Sequence, residues 1–178
     1  MNTEIYKLYR VIRLALKQDE PITLLQIGKE RVAVATGIGI EPLEVVILEI
    51  GSKKTAIEFF KHNPPTPIEV ENAIMAVEDE ITRMREAIPN DSMLVTSDEC
   101  IREIALFCGL DNQPGLNLNR EAVERAFERL SSVVQGLPMP SLSPLSNAIF
   151  SSTILILREF MHHMNFLSIR IVNPRSND

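Results

Sequence analysis

The chain has 178 residues, of which 45% are hydrophobic and 24% charged, and its formal net charge is −6. That length fits one domain, or one with a small appendage, and is enough to bury a real core. With no cluster of Lys or Arg, the negative balance argues against a nucleic-acid or anionic-membrane surface, since phosphate binding needs concentrated positive charge.

The opening MNTEIYKLYRVIRLALK lacks the apolar block of about 7–15 residues and the small-residue cleavage site of a secretory signal. It reads as a helix from Glu4 to Lys17, with Tyr6, Tyr9, Ile12, Leu14 and Leu16 as its apolar residues and KQDEP ending it. After Pro21 come three strand-like runs, ITLLQI, RVAVAT and LEVVILEI, rich in β-branched and aliphatic residues. Gly28-Lys29 joins the first two tightly, and GIGIEP is a looser turn to the third, so the three predict an antiparallel meander. KKTAIEFFKH then predicts a short helix.

The next helix carries the clearest start signal in the chain. Thr66 is a natural N-cap, Pro67 suits the first helical position, and Glu69 completes a capping box. Val70, Ile74, Val77, Ile81, Met84 and Ile88 then recur at spacings of four and three, one face of a long helix stopped by Pro89-Asn90-Asp91. SMLVTS reads as a short buried strand. Ser97 is expected to cap the helix DECIREIALFC, with Asp98 and Glu99 favourable at its positive end and Gly109 as its stop.

DNQPGLNL reads as a surface loop, and Asn119 as the cap of a helix whose apolar face is Val123, Phe127, Leu130 and Val134, stopped by Gly136. LPMPSLSP is a proline-rich connector, and Ser143 with Pro144 opens a last helix that is apolar on most sides. Its window Ala148–Leu157 is about half of what a membrane span needs, so it predicts a buried helix. LSIRIV is a final strand and NPRSND a frayed tail.

Cys100 and Cys108 lie eight residues apart on one predicted helix, roughly 12 Å along its axis. They cannot bond to each other there. They read as core thiols of a reducing compartment, which places the protein in the cytoplasm.

The element order predicts an α/β fold: a mixed five-stranded sheet, beginning with a three-strand meander, with helices packed on it. That is the ribonuclease-H-like arrangement of each half of the actin-like ATPases. The expected organisation is an N-terminal helix over residues 1–20 and a single domain over residues 21–178.

Three segments resemble a known family. LEIGSKKTAIEFFKHNPPTPIEVENAIMAVEDEI is similar to the family pattern LPLGSVRLTERFL followed by DPPSPEELEAL. VTSDECIREIALFCGL with LNREAVERAFERLSSV is similar to GTSGTIRALA followed by LTREELERLLERLLSM. LSPLSNAIFSSTILILREFMHHMNFLSIRIV is similar to LSPDRADIILAGALILLELMEALG followed by ITVS. The family is the Ppx/GppA phosphatases, the exopolyphosphatases and guanosine pentaphosphate phosphohydrolases. The resemblance runs from about Pro21 to Val172 and is to the second, actin-like lobe alone. It implies that the first lobe, with its own phosphate loop and catalytic base, has no counterpart here beyond a remnant in the N-terminal helix.

The departures fall on the phosphate contacts that the resemblance implies. Where the family's first hairpin reads DIGGGSTEL, this sequence reads QIGKERVAV: Gln26 stands for the Asp, Gly28 is kept, and Lys29, Glu30 and Arg31 replace the residues that let backbone N–H groups approach an anion. Where the family reads SGT at a helix start, Asp98, Glu99 and Cys100 follow Ser97, and two carboxylates there repel a phosphate. The Arg and Asp of DRAD become Ser146 and Ala148.

The resemblance therefore implies that Gln26, Gly28, Lys29, Ser97 and Glu99 are vestigial phosphate-binding positions. A solvated turn with a mixed-charge tip is the simpler reading of the first three. Asp98 and Glu99 have the chemistry of Mg²⁺ or Ca²⁺ ligands, although first-turn partners of the helix dipole are commoner. Cys100 at a helix start has the position of a reactive thiol, which the neighbouring carboxylates oppose. His162 and His163 are adjacent on a helix and point about 100° apart, so they cannot chelate one ion together. No catalytic residue and no metal site is assigned.

The expectation is a non-catalytic binding, regulatory or assembly module without a cofactor. It forms a homodimer, or docks with a separate partner chain, to cover the surface its missing lobe would have covered. The alternatives are a phosphohydrolase of polyphosphate or guanosine polyphosphates, using Mg²⁺ and a first lobe from another chain, and a phosphate or nucleotide sensor.

Overall fold

A computed structural model describes residues 2–16, 19–89, 91–138 and 143–173. Three strands, β1 (Ile22–Ile27), β2 (Val32–Gly37) and β3 (Glu44–Leu48), pair antiparallel in sequence order, with Ile22 opposite Gly37 and Val32 opposite Leu48. β4 (Met93–Thr96) adds parallel to the other side of β1, and β6 (Ser168–Ile171) parallel to β4. These are the five expected strands. A sixth, β5 (Leu116–Asn119), pairs antiparallel with β6, so the order across the sheet is β3-β2-β1-β4-β6-β5. The expected count of five is thus corrected to six. The stretch read as a loop alternates Leu116 and Leu118 inward with Asn117 and Asn119 outward, the period-two signature of a half-buried edge strand.

Both faces of the sheet are covered. Strand parity sends Leu25, Ile27, Val32, Val34 and Leu94 into the larger core, and Ile22, Leu24, Ala33, Ala35 and Val95 into a smaller one. The smaller core is closed by α1 (Asn2–Leu16) through Ile5, Tyr9, Ile12 and Leu16, all buried. Of the apolar residues expected for this helix, Tyr6 and Leu14 prove exposed, because the packed stripe follows the spacing four, three, four from Ile5.

The larger core lies under α2 (Ser52–Phe59), α3 (Pro67–Thr82), α4 (Glu99–Phe107), α5 (Arg120–Val134) and α6 (Ala148–His163). α6 is the strut of this layer: it touches each of the other four helices, and Ile154 to Leu157 are fully buried. An apolar sequence on most sides of a helix is what such a central position demands. The hydroxyls among its buried residues are bonded: Ser151 donates to the Leu145 carbonyl and Thr153 to that of Ile149.

The local start signals hold where they are self-contained. The Thr66 capping box is formed in both directions, with the Glu69 N–H donating to Thr66 Oγ1 and the Thr66 N–H to the Glu69 carboxylate. Asn119 accepts the Ala122 N–H at 2.8 Å. Two boundaries move. α3 ends at Thr82, and a 3-10 turn over Arg85–Ala87 carries the chain on, with Met84 still buried. Ser143 caps a 3-10 turn over Pro144–Ser146, and it is Asn147 that caps α6. The middle of the proline connector (139–142), the tail beyond Asn173, Asn90 and the Lys17 end of the first helix lie outside the described residues.

Candidate functional site

The site is built where the β1–β2 hairpin, the start of α2 and the start of α4 meet. Gly28 donates to the Arg31 carbonyl at 3.0 Å, so the tight turn is centred on Lys29 and Glu30. Both of those residues and Arg31 are exposed, and Arg31 pairs with Glu49. Gln26, in β1, shares strand parity with Ile22 and Leu24 and is half-buried.

The hairpin tip is welded to α2. The helix has Gly51 at its N-cap and no side-chain cap. Its first-turn donors go to the turn instead: the Ser52 N–H to the Gly28 carbonyl at 3.0 Å, and the Lys53 and Lys54 N–H groups to the Lys29 carbonyl at 2.9 and 3.0 Å. This contact explains the two glycines. A Cβ on Gly28 would lie 2.6 Å from the Arg31 oxygen, and one on Gly51 2.4 Å from the Glu30 carbonyl carbon. Gly28 serves turn closure, and Gly51 lets the helix approach the tip.

The start of α4 faces the end of β1. Asp98 is the N-cap residue, but its carboxylate makes no cap hydrogen bond. It reaches across and accepts the Ile27 backbone N–H at 2.5 Å. Ser97, expected to cap this helix, does not do so; the entry is held by the Asp98 N–H donating to Thr96 Oγ1 at 3.0 Å. Burial pushes the Asp98 carboxyl up to about 7, against the opposing pull of the Ile27 N–H. Glu99 points to solvent, with Arg102 at 3.8 Å.

Next to Asp98, burial first and then the Asp98 charge push the Cys100 thiol up to about 12. A thiol in that state is a poor nucleophile at neutral pH. Cys108 at the far end of α4 is also raised by burial, and both cysteines are free.

An apolar cleft of about 410 Å³ opens beside this site, between α4 and α6. Cys100, Leu106, Ile149 and the edge-to-face pair Phe107–Phe150 line it.

The contact between Ile27 and Asp98 thus joins the two segments that carry the five sequence candidates, with Gln26, Gly28 and Lys29 along the β1–β2 hairpin and Ser97 and Glu99 at the entry to α4. Gln26 lies one residue before the N–H that Asp98 occupies. The residue that joins the two segments is Asp98, which the sequence marked for the helix dipole. Its reach to β1 is a tertiary contact over 71 positions, with no local signal.

No protein-family model matches the sequence, and no curated protein matches it. Among solved structures, the Ppx/GppA enzyme of Aquifex aeolicus is similar at a TM-score of 0.75 and 18% identity, covering 93% of this chain and 57% of that one. An exopolyphosphatase from Cytophaga hutchinsonii is similar at a TM-score of 0.73 and 15% identity, again over 93% of this chain and 57% of the other. An exopolyphosphatase-like protein gives a TM-score of 0.71 at 13% identity over 93% of this chain and 62% of its own. The chain therefore spans a little over half the length of the structures it matches. Among the described residues no helix is long and apolar enough to cross a membrane. The chain has the fold of a single actin-like lobe of the Ppx/GppA exopolyphosphatases.

Proposed function

We propose that the chain is a non-catalytic module with the Ppx/GppA fold, working in binding, regulation or assembly. The observation that carries this reading is Asp98: its carboxylate sits on the Ile27 N–H, at the junction where a phosphate would need donors. A turn or helix start binds an anion when its N–H groups converge unpaired and its field is positive. Here Gly28 closes its own turn, the first N–H groups of α2 go to the hairpin carbonyls, and the Ile27 N–H goes to Asp98. The Asp98 carboxyl thus takes the donor that a ligand would need.

The test is phosphate release from polyphosphate and from guanosine pentaphosphate with Mg²⁺ by the purified chain. No turnover above the blank is expected. Mg²⁺-dependent turnover that disappears in Glu99→Ala overturns the reading. The alternative, a phosphohydrolase completed by a first lobe from another chain, draws on the 57% coverage of the matched enzymes. It expects turnover only when cell extract is added.

A module of this kind needs a contact surface. The cleft between α4 and α6, with exposed Leu106 and Ile149 at its lip, suits a second copy of the chain. Light scattering is expected to give the mass of a dimer, and a clean monomer at high concentration counts against it.

A further inference from the structure

At the opposite end of α6 from the cleft, three side chains converge that the phosphate site does not use. His163 lies sixteen positions after Asn147, about 24 Å of helix. Glu159 and His163 stand one turn apart on α6, and Glu78 approaches from α3. His163 Nε2 lies 3.1 Å from Glu78 Oε1 and 3.5 Å from Glu159 Oε2. All three ligand-type atoms fall within 4.8 Å of one another.

We propose that Glu78, Glu159 and His163 form a binding site for a first-row divalent cation of the zinc class. Ligand atoms around a tetrahedral ion with bonds of about 2.0–2.1 Å stand roughly 3.3 Å apart. The two separations from Nε2 bracket that value. One imidazole nitrogen with two carboxylates selects zinc and its neighbours over Mg²⁺, which prefers an all-oxygen shell.

Burial adds an independent argument. Glu159 is only 1% exposed, in a helix that is otherwise an apolar strut. Its Oε1 is taken by Arg158, a guanidinium shared with Glu124 at 2.8 Å. Oε2 is left facing His163 Nε2 and the Glu78 carboxylate beyond it. A cation at this point faces oxygens of two acidic side chains and one imidazole nitrogen. Glu78, at 38% exposed, and His163, at 21%, leave one side open to water as entry path and fourth ligand.

The proposal is independent of the phosphate site. It is tested on the full chain, stripped with EDTA and then dialysed against micromolar ZnCl₂, with metal measured per chain. One equivalent of zinc is expected, with a ligand-field spectrum of low coordination number when Co²⁺ is substituted. Glu78→Gln and His163→Ala are each expected to weaken binding at least tenfold, and Cys100→Ser with Cys108→Ser to leave it unchanged. Circular dichroism checks the fold of each variant. Should His163→Ala misfold, Glu78→Gln decides, because it is near-isosteric and partly exposed. No retained zinc, or undiminished affinity in a folded Glu78→Gln variant, overturns the site.

Discussion

Asp98 shows how one side chain changes the character of a site. Its carboxyl is held at about 7 by burial, above its ordinary 3.8. The native state therefore binds this proton more tightly than the unfolded chain does. The resulting stability is complete below pH about 4 and is lost as the pH rises through 7. Asp98→Asn keeps an oxygen for the Ile27 N–H but never carries the charge. It is expected to lose this pH dependence and to be more stable than the parent at pH 8. Asp98→Ala removes the acceptor and is expected to cost about 1–3 kcal/mol, the penalty of an unsatisfied buried donor. Urea unfolding at pH 5 and pH 8 measures both; an Asn variant less stable than the parent at pH 8 shows that burial does not govern this carboxyl. The sequence displays an acid at a helix start and nothing more. Only the tertiary placement of β1 beside α4 brings that acid onto the Ile27 N–H.

Elements with local causes were the legible part of the fold. The Thr66–Pro67–Glu69 start of α3 is written in four consecutive residues and forms as written. Thr66→Ala is accordingly expected to destabilise the chain by about 1 kcal/mol, the usual cost of losing a cap. The change should appear in thermal unfolding with no loss of native secondary structure; an unchanged midpoint would mean that packing against α6 alone fixes this helix start. Glu69, held down to about 2 first by the Thr66 N–H and then by His62, gives the cap an acid limit. Its contribution is present above pH about 4.5 and is lost as the pH falls through 2. β5 was not legible because its four residues take their strand geometry from β6, a partner far along the chain, and asparagine, a residue depleted in strands, holds both outward positions of so short an alternation. The end of α3 is hidden for a related reason: Met84, at the start of the 3-10 turn, is still buried, so the apolar rhythm outlasts the helix that began it. The Glu78–Glu159–His163 cluster was invisible for want of proximity, with Glu78 standing 85 positions from its histidine.

At the scale of the molecule, the sheet is a partition between two unequal cores, and among the described residues the smaller one depends on a single helix. α1 alone supplies Ile5, Tyr9, Ile12 and Leu16 to the face formed by Ile22, Leu24, Ala33, Ala35 and Val95. It is also tied by polar contacts: Arg13 donates to the Gly37 carbonyl at 2.7 Å and to the Glu20 carbonyl at 2.7 Å, and its guanidinium lies 5.7 Å from the Tyr9 ring centre. Burial of each large apolar side chain contributes about 1.5–3 kcal/mol. Four of them are worth on the order of 10 kcal/mol, which is comparable to the whole stability of a typical domain. A chain starting at Pro21 is therefore expected to lose its cooperative thermal transition, to bind the dye ANS and to aggregate, although every residue of the hairpin, α2 and α4 is retained. A truncated chain that melts cooperatively within a few degrees of the parent would show instead that the larger core carries the fold alone. The outcome bears on function as well as on stability. The strand that ends at the Asp98 contact, β1, is gripped from both sides, so loosening its α1 face would free the Ile27 N–H together with the sheet.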